Sequence, residues 1–261
     1  MPRVLSGTVL GAAFAIAVWW FPSLVLLGIA ELVLLLAFVE YASLADRLHA
    51  RVQRIPAGAA AMLTCAAMVA PGTPVHVVLM AATVALGAMT LGSGRSHANV
   101  LNDVAASLLP ALYLGLPLGA LVAIHAEIGR TAVLLLLVTV VVSDSAQYYA
   151  GRAFGRRLLA PAISPKKTVE GAVGGVVLGS ATMAVAGHWW LPGMSPVWRA
   201  ALGIAIVIVG IVGDLFESML KRGAGAKDAS SIIPGHGGVL DRIDALLFAA
   251  PVYYMFVKYV P

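Results

Sequence analysis

The sequence is short of charge. Lys+Arg number 17 and Asp+Glu 12 in 261 residues, so 11% of positions are charged. A soluble domain carries about a quarter. Hydrophobic residues make up 61%, and the mean hydropathy is +0.95. Such a chain cannot cover itself with a wettable surface, which excludes a soluble globular fold and makes lipid its main solvent. Cysteine is scarcer still. Cys65 stands alone, which rules out an intrachain disulfide and leaves inert packing as its expected role. There is no G-x-x-x-x-G-K-[ST] run, so no P-loop, and "GAGAK" at 223–227 resembles one only superficially. H-E-x-x-H and Cys/His clusters are also missing, which removes the usual zinc sites. The first apolar run has no clear small-x-small cleavage site followed by a soluble domain, since another apolar segment follows at once, and it reads as a retained membrane helix.

What is present is a series of apolar runs, each near the 17–25 residues or so that cross a bilayer. They lay out as nine spans, at 4–21, 22–45, 56–71, 73–92, 100–125, 130–151, 169–190, 198–220 and 239–260. The expected fold is all-α and polytopic, a single integral membrane domain over 1–261. Its N-terminal helices run to 129, and helices and loops bearing the chemistry follow from 130. With the N-terminus and the loops after spans two, four, six and eight on one side, nearly every basic residue falls there. Only Arg130, Arg199 and Lys258 lie opposite, and Arg242 sits within the last span. By the positive-inside rule the crowded side is cytoplasmic. The net charge of +5 is thereby read as orientation and headgroup contact, not as nucleic-acid binding.

The same layout gathers acids. Asp144 and Asp214 ride on spans that run toward the cytoplasm, and Asp241 and Asp244 open the span that leaves it. Each charge at a membrane helix centre costs about 2.5–3.5 kcal/mol, so four such acids need counter-charge or water. Glu217 and Lys221, one turn apart, read as a local ion pair. For Asp214, Asp241 and Asp244 the local cations are too few. Asp241 and Asp244 share a helix face at i, i+3. A cluster of hard oxygen donors suits Mg²⁺ or a similar cation. Glu31 and Glu40 receive no role.

Basic, glycine-rich stretches supply the opposite sign. In "KRGAGAKDASSIIPGHGGVLDRID", 221–244, Lys221, Arg222 and Lys227 can hold anions, and Gly237 and Gly238 let backbone N–H groups approach a phosphate. Among the histidines, His236 between two glycines is the one expected to act. In "ISPKKTVEGAVGG", 163–175, Ser164-Pro165 reads as a helix start. Lys166 and Lys167 are adjacent cations, and small residues follow at close-packing spacing. Cations facing an acidic cluster point to metal and polyphosphate, hence to a nucleotide or lipid-phosphate enzyme.

Residues 218–244 resemble the signature of the CDP-diacylglycerol synthase (phosphatidate cytidylyltransferase) family. Ser218, Lys221, Arg222, Lys227, Asp228, Pro234, His236, Gly237, Gly238, Asp241, Arg242 and Asp244 all fit its pattern. "SPKKTVEG", 164–171, and "SDSAQYYAGRAFGRR", from 143, resemble its upstream elements, with Gln147 a departure. The resemblance implies conversion of CTP and phosphatidic acid to CDP-diacylglycerol and pyrophosphate, with a Mg²⁺-type dimetal centre at Asp214 and Asp241 and Asp144 nearby. It implies catalytic roles for Lys221, Arg222, Lys227, Asp228, His236 and Asp244. Substrate contacts would come from Ser164, Lys166, Lys167, Thr168, Gly237, Gly238 and Arg242. The expected setting is the inner membrane, multi-pass, with a cytoplasmic active site and a homodimer left open. The competing enzyme is another CTP-dependent lipid-phosphate cytidylyltransferase or a CTP-dependent polyprenol or phytol kinase, and a transporter of phosphorylated solutes is the competing non-enzyme.

Overall fold

The computed structural model describes residues 2–92, 99–230 and 237–260, with side chains from Gly11 onward. Among the described residues it is helical almost throughout. The helices are α1 (Pro2–Trp20), α2 (Ser23–Arg47), α3 (Arg54–Ala67), α4 (Val75–Gly92), α5 (Val100–Glu127), α6 (Arg130–Phe154), α7 (Val169–Trp190), α8 (Pro196–Gly223) and α9 (Leu240–Tyr259). The chain is an all-α polytopic membrane protein: α2, α4, α5, α6, α7 and α8 are each long and apolar enough to cross a bilayer. Three of the nine expected spans are not among these six: α1, whose described apolar stretch is Gly11–Trp20, and α3 and α9, which fall short for visible reasons. Helix α3 has 14 residues, about 21 Å at 1.5 Å per residue, against a hydrocarbon core of about 30 Å. Helix α9 carries Asp241, Arg242, Asp244 and Lys258 in its 20 residues.

The described chain groups into two compact units. The first holds the residues up to Gly11 with Phe21–Ala123 and Leu220–Arg242. The second holds Ala12–Trp20, Ile124–Met219 and Ile243–Pro261. In the first unit, α5 passes through a π-helical turn, Ala111–Gly115, directly after Pro110. Proline has no N–H to give the α-helical ladder, and a π turn absorbs the mismatch. Gly115 then lies flush on α3, where a Cβ would stand 2.5 Å from the Ala61 carbonyl oxygen. Small residues at such a crossing let two backbones approach in lipid. Cys65 is fully buried in α3, as a packing residue should be.

In the second unit, α6 and α7 run closely side by side. A Cβ at Gly171 would come within 2.7 Å of the Gln147 carbonyl oxygen, and one at Gly179 within 3.1 Å of Ser143 Cβ. The close-packing spacing expected after Lys167 is therefore used against α6. The connection between these helices differs from expectation. Ser164-Pro165 does not start a helix: Leu158–Ala160 and Ser164–Thr168 form an antiparallel hairpin, β1 and β2, pairing Leu158 with Thr168 and Ala160 with Ser164. Proline biases the preceding residue toward extended backbone, so Ser164 stays in a strand. The helix begins only at Val169, where the Thr168 hydroxyl accepts the Gly171 N–H at 3.1 Å as N-cap. The Glu170 carboxylate accepts the N–H groups of Arg156 and Arg157 at 3.0 and 3.2 Å, fastening the other end of the hairpin.

Candidate active site

The second unit brings three of the four singled-out carboxylates together from three helices. Asp144 of α6, Asp214 of α8 and Asp244 of α9 lie within electrostatic reach of one another, and Glu217 adds to the field at Asp244. Asp244 reaches this position because α8 and α9 touch through glycine. A Cβ on Gly213 would meet the Asp244 carbonyl oxygen at 2.6 Å and Phe248 at 3.0 Å. Lys167, swung in from β2, pairs its Nζ with Asp214 Oδ2 at 2.5 Å. This lysine is half-buried and Lys166 beside it is exposed. The adjacent lysines are therefore not equivalent. Ser164 and Thr168 belong to the same strand, and Thr168 spends its hydroxyl on the helix cap.

Gln147, the departure from the family pattern, has a visible task. Its Nε2 donates to Asp144 Oδ1 at 3.1 Å and to Ser143 Oγ at 3.3 Å. A side-chain amide one turn along the helix thus orients the Asp144 carboxylate. On another face of α6, an apolar groove of about 480 Å³ runs along α6 and α7, with Ser145, Tyr149, Gly174 and Leu178 in its lining.

The first unit holds the remaining charged residues in a different arrangement. Asp241 is paired with Lys221, and both side chains are nearly buried, at 6% and 10% exposure. Asp241 Oδ2 also accepts the Ala229 N–H at 2.9 Å and the Gly238 N–H at 2.8 Å. A carboxylate so engaged is a structural anchor of the helix start, and the Gly238 N–H, expected to face a phosphate, points at Asp241. Gly237 has φ +81°, a left-handed conformation that glycine tolerates. Arg222, Lys227, Asp228 and Arg242 are exposed. Arg222 Nη1 donates to the Ala226 carbonyl at 3.1 Å, tightening the turn after α8. His236 and Pro234 lie outside the described residues, as does Arg95.

The largest omission of the sequence reading is Glu40. This α2 residue is 2% exposed. Its Oε1 accepts from Ser230 Oγ at 2.6 Å and the Val239 N–H at 2.9 Å, and its Oε2 accepts the Leu240 N–H at 2.7 Å. Gly238 is packed so tightly on it that a Cβ would overlap the carboxylate. The only sequence signal was an acid within the apolar stretch of a membrane helix, which membrane energetics mark as functional by default.

A divalent metal fits the second unit's cluster in chemistry. Among the described residues no three His, Cys, Asp or Glu side chains form a cage tight enough to hold an ion unaided. Mg²⁺ does not need one, since it keeps several waters and takes one or two carboxylates together with substrate phosphates. Asp144, Asp214 and Asp244 supply hard oxygens and, with Lys167, a local excess of negative charge.

These features define a class: a polytopic helical membrane protein with a carboxylate cluster and a lysine paired to it. Residues 1–260 match the cytidylyltransferase family, and the chain belongs to that family. Its relatives include a phosphatidate cytidylyltransferase of Helicobacter pylori, 42% identical over 144 residues, which is 55% of this chain and 53% of the relative. The Synechocystis phosphatidate cytidylyltransferase is 46% identical over 132 residues, 49% of this chain and 44% of the relative. That of Mycobacterium bovis is 37% identical over 175 residues, 66% and 56% respectively. The matched stretch thus spans about half the length of these curated relatives.

Proposed function

We propose that the protein is a phosphatidate cytidylyltransferase, which joins CTP and phosphatidic acid to give CDP-diacylglycerol and pyrophosphate. The observation that carries the reading is the meeting of Asp144, Asp214 and Asp244 from three helices, with Lys167 on Asp214. The second pKa of a phosphate monoester is about 6, so phosphatidate near neutral pH is mostly a dianion and needs no strong base. One of its phosphate oxygens attacks the CTP α-phosphorus. A new P–O bond forms, the bond to the β-phosphate bridge breaks, and pyrophosphate leaves.

The protein's task is then to bring two polyanions into line and to stabilise charge on the transferring group. Lys167 and Lys166 can hold CTP phosphates. Asp144, Asp214 and Asp244 would hold Mg²⁺, which when bound neutralises phosphate charge and orients the attack. The reading is tested with purified protein, phosphatidate, Mg²⁺ and CTP labelled at the α-phosphate. Label appearing in lipid with release of pyrophosphate supports it. Release of CDP indicates a lipid kinase instead, and solute uptake into vesicles without nucleotide turnover indicates a transporter.

The active site is assigned to the cytoplasmic face of the inner membrane, on the asymmetry of Lys and Arg. The connection between α6 and α7 carries Arg156, Arg157, Lys166 and Lys167, so it is the segment to probe. A cysteine placed at Ala162, with Cys65 replaced, should react with a membrane-impermeant maleimide only after the cells are opened. Labelling of intact cells would reverse the topology.

A further inference from the structure

Two arms of the first unit, Ala229 with Ser230 and Gly238 with Val239 and Leu240, are each held twice by acids. Asp241 Oδ2 takes the N–H groups of Ala229 and Gly238, and Glu40 Oε1 takes the Ser230 hydroxyl and the Val239 N–H. Each carboxylate oxygen therefore bridges the same two arms. Glu40 Oε2 adds the Leu240 N–H, the first of α9. The N–H groups of Gly238, Val239 and Leu240 belong to the start of a helix, where the backbone carries partial positive charge and lacks intrahelical acceptors. Asp241 is the acid such a position would find for itself. Glu40 comes from α2, almost two hundred residues earlier.

Burying a carboxylate in a membrane helix is costly unless it is hydrogen-bonded. A chain that needed only a helix cap could use a serine or asparagine next to Leu240. We infer that Glu40 is a positioning residue: with Asp241 it clasps the two arms, so that α9 starts at one place and Asp241 and Asp244 leave it at one phase. The clasp is built for contact, since at Gly238 any side chain would overlap the Glu40 carboxylate. Glu40 touches no reacting atom. It acts through the start of α9 and through Lys221, which shares Asp241 with the clasp. The inference rests on the cytidylyltransferase reading for its effect on turnover, but not for the existence of the clasp.

The test uses the full chain in lipid nanodiscs, with Glu40→Gln, Glu40→Asp and Ser230→Ala, read by backbone hydrogen exchange and by kcat and KM. Glutamine turns an amide toward the Leu240 N–H, donor against donor. Exchange at residues 229–230 and 238–240 should then quicken by about tenfold or more, the loss expected for one charge-assisted hydrogen bond, with other helices unchanged. Turnover at saturating CTP should fall by a similar factor, while KM for phosphatidate stays within about twofold, as for a defect in alignment and not in ground-state binding. Aspartate keeps the charge and should fall between wild type and glutamine in both readouts. A wild-type kcat in Glu40→Gln, or a fall in kcat with unaltered exchange at these residues, overturns the proposal. So does equal impairment of Glu40→Asp and Glu40→Gln. If Glu40→Gln does not fold, Ser230→Ala decides: it leaves the carboxylate and both backbone donors, and it should quicken exchange at 229–230 and lower kcat by about threefold. Wild-type behaviour of Ser230→Ala in both readouts then overturns the proposal. If the wild type itself turns over no CTP with phosphatidate, the assigned reaction has failed, and the exchange pattern alone still decides the clasp.

Discussion

Asp214→Asn should give a folded, monodisperse protein whose cytidylyltransferase activity is lower by about 10²–10³-fold, the range in which one lost electrostatic contact to a transition state is felt. Asn is nearly isosteric with Asp, so packing on α8 is retained. The partner of Asp214 is Lys167, and at 35% and 21% side-chain exposure neither group is sealed from water. The released ammonium can be solvated, which keeps the cost to folding small. What is lost is one formal charge from a cluster proposed to bind a divalent ion. Activity that survives should need more Mg²⁺, a shift visible in a metal titration. Two results would sink the assignment of Asp214: unfolding of the variant, or retained activity with an unaltered Mg²⁺ requirement.

Asp241→Asn should behave differently, although the family resemblance places Asp241 beside Asp214 in one metal centre. The structure pairs Asp241 with Lys221 under nearly full burial, and two backbone N–H groups depend on the same carboxylate. Neutralising it strands a buried ammonium. Loss of one member of such a pair costs about 3–5 kcal/mol, a large part of the stability of most domains. The variant should therefore express poorly or melt well below wild type in detergent. Adding Lys221→Met to Asp241→Asn removes the orphaned charge and should recover much of the lost stability, without recovering activity. An Asp241→Asn protein that melts with wild type would mean that the Lys221 pair contributes nothing and that Asp241 is free to serve a metal.

The contrast between these two aspartates shows where sequence reasoning stops. Little local distinguishes them: each has a second acid three residues along its helix, and lysine or arginine within a turn or two. Their partners come from elsewhere, Lys167 from a hairpin strand and Lys221 from the end of a different helix. The hairpin itself was legible only in part. Proline at 165 was read as a helix start because Ser-Pro often precedes one. Pairing with Leu158–Ala160 instead keeps the stretch extended until Thr168 caps α7. That pairing sends Lys167 inward and Lys166 out, a division that two adjacent lysines in a sequence cannot reveal.

Composition and hydrophobic run length alone determined that this is a polytopic helical membrane protein, and they placed its helices within a few residues. The reason is that lipid offers no hydrogen bonds, so each crossing segment must satisfy its own backbone and declare itself by length. The signature at 218–244 identified the family for the same local reason: its residues are contiguous. Which charges meet was decided only by the tertiary structure. Glu40 lies in an unremarkable apolar helix, yet its carboxylate holds Ser230, Val239 and Leu240. A buried carboxylate takes whatever donors the packed helices bring to it, and that choice depends on three-dimensional proximity, which spacing along the chain does not encode.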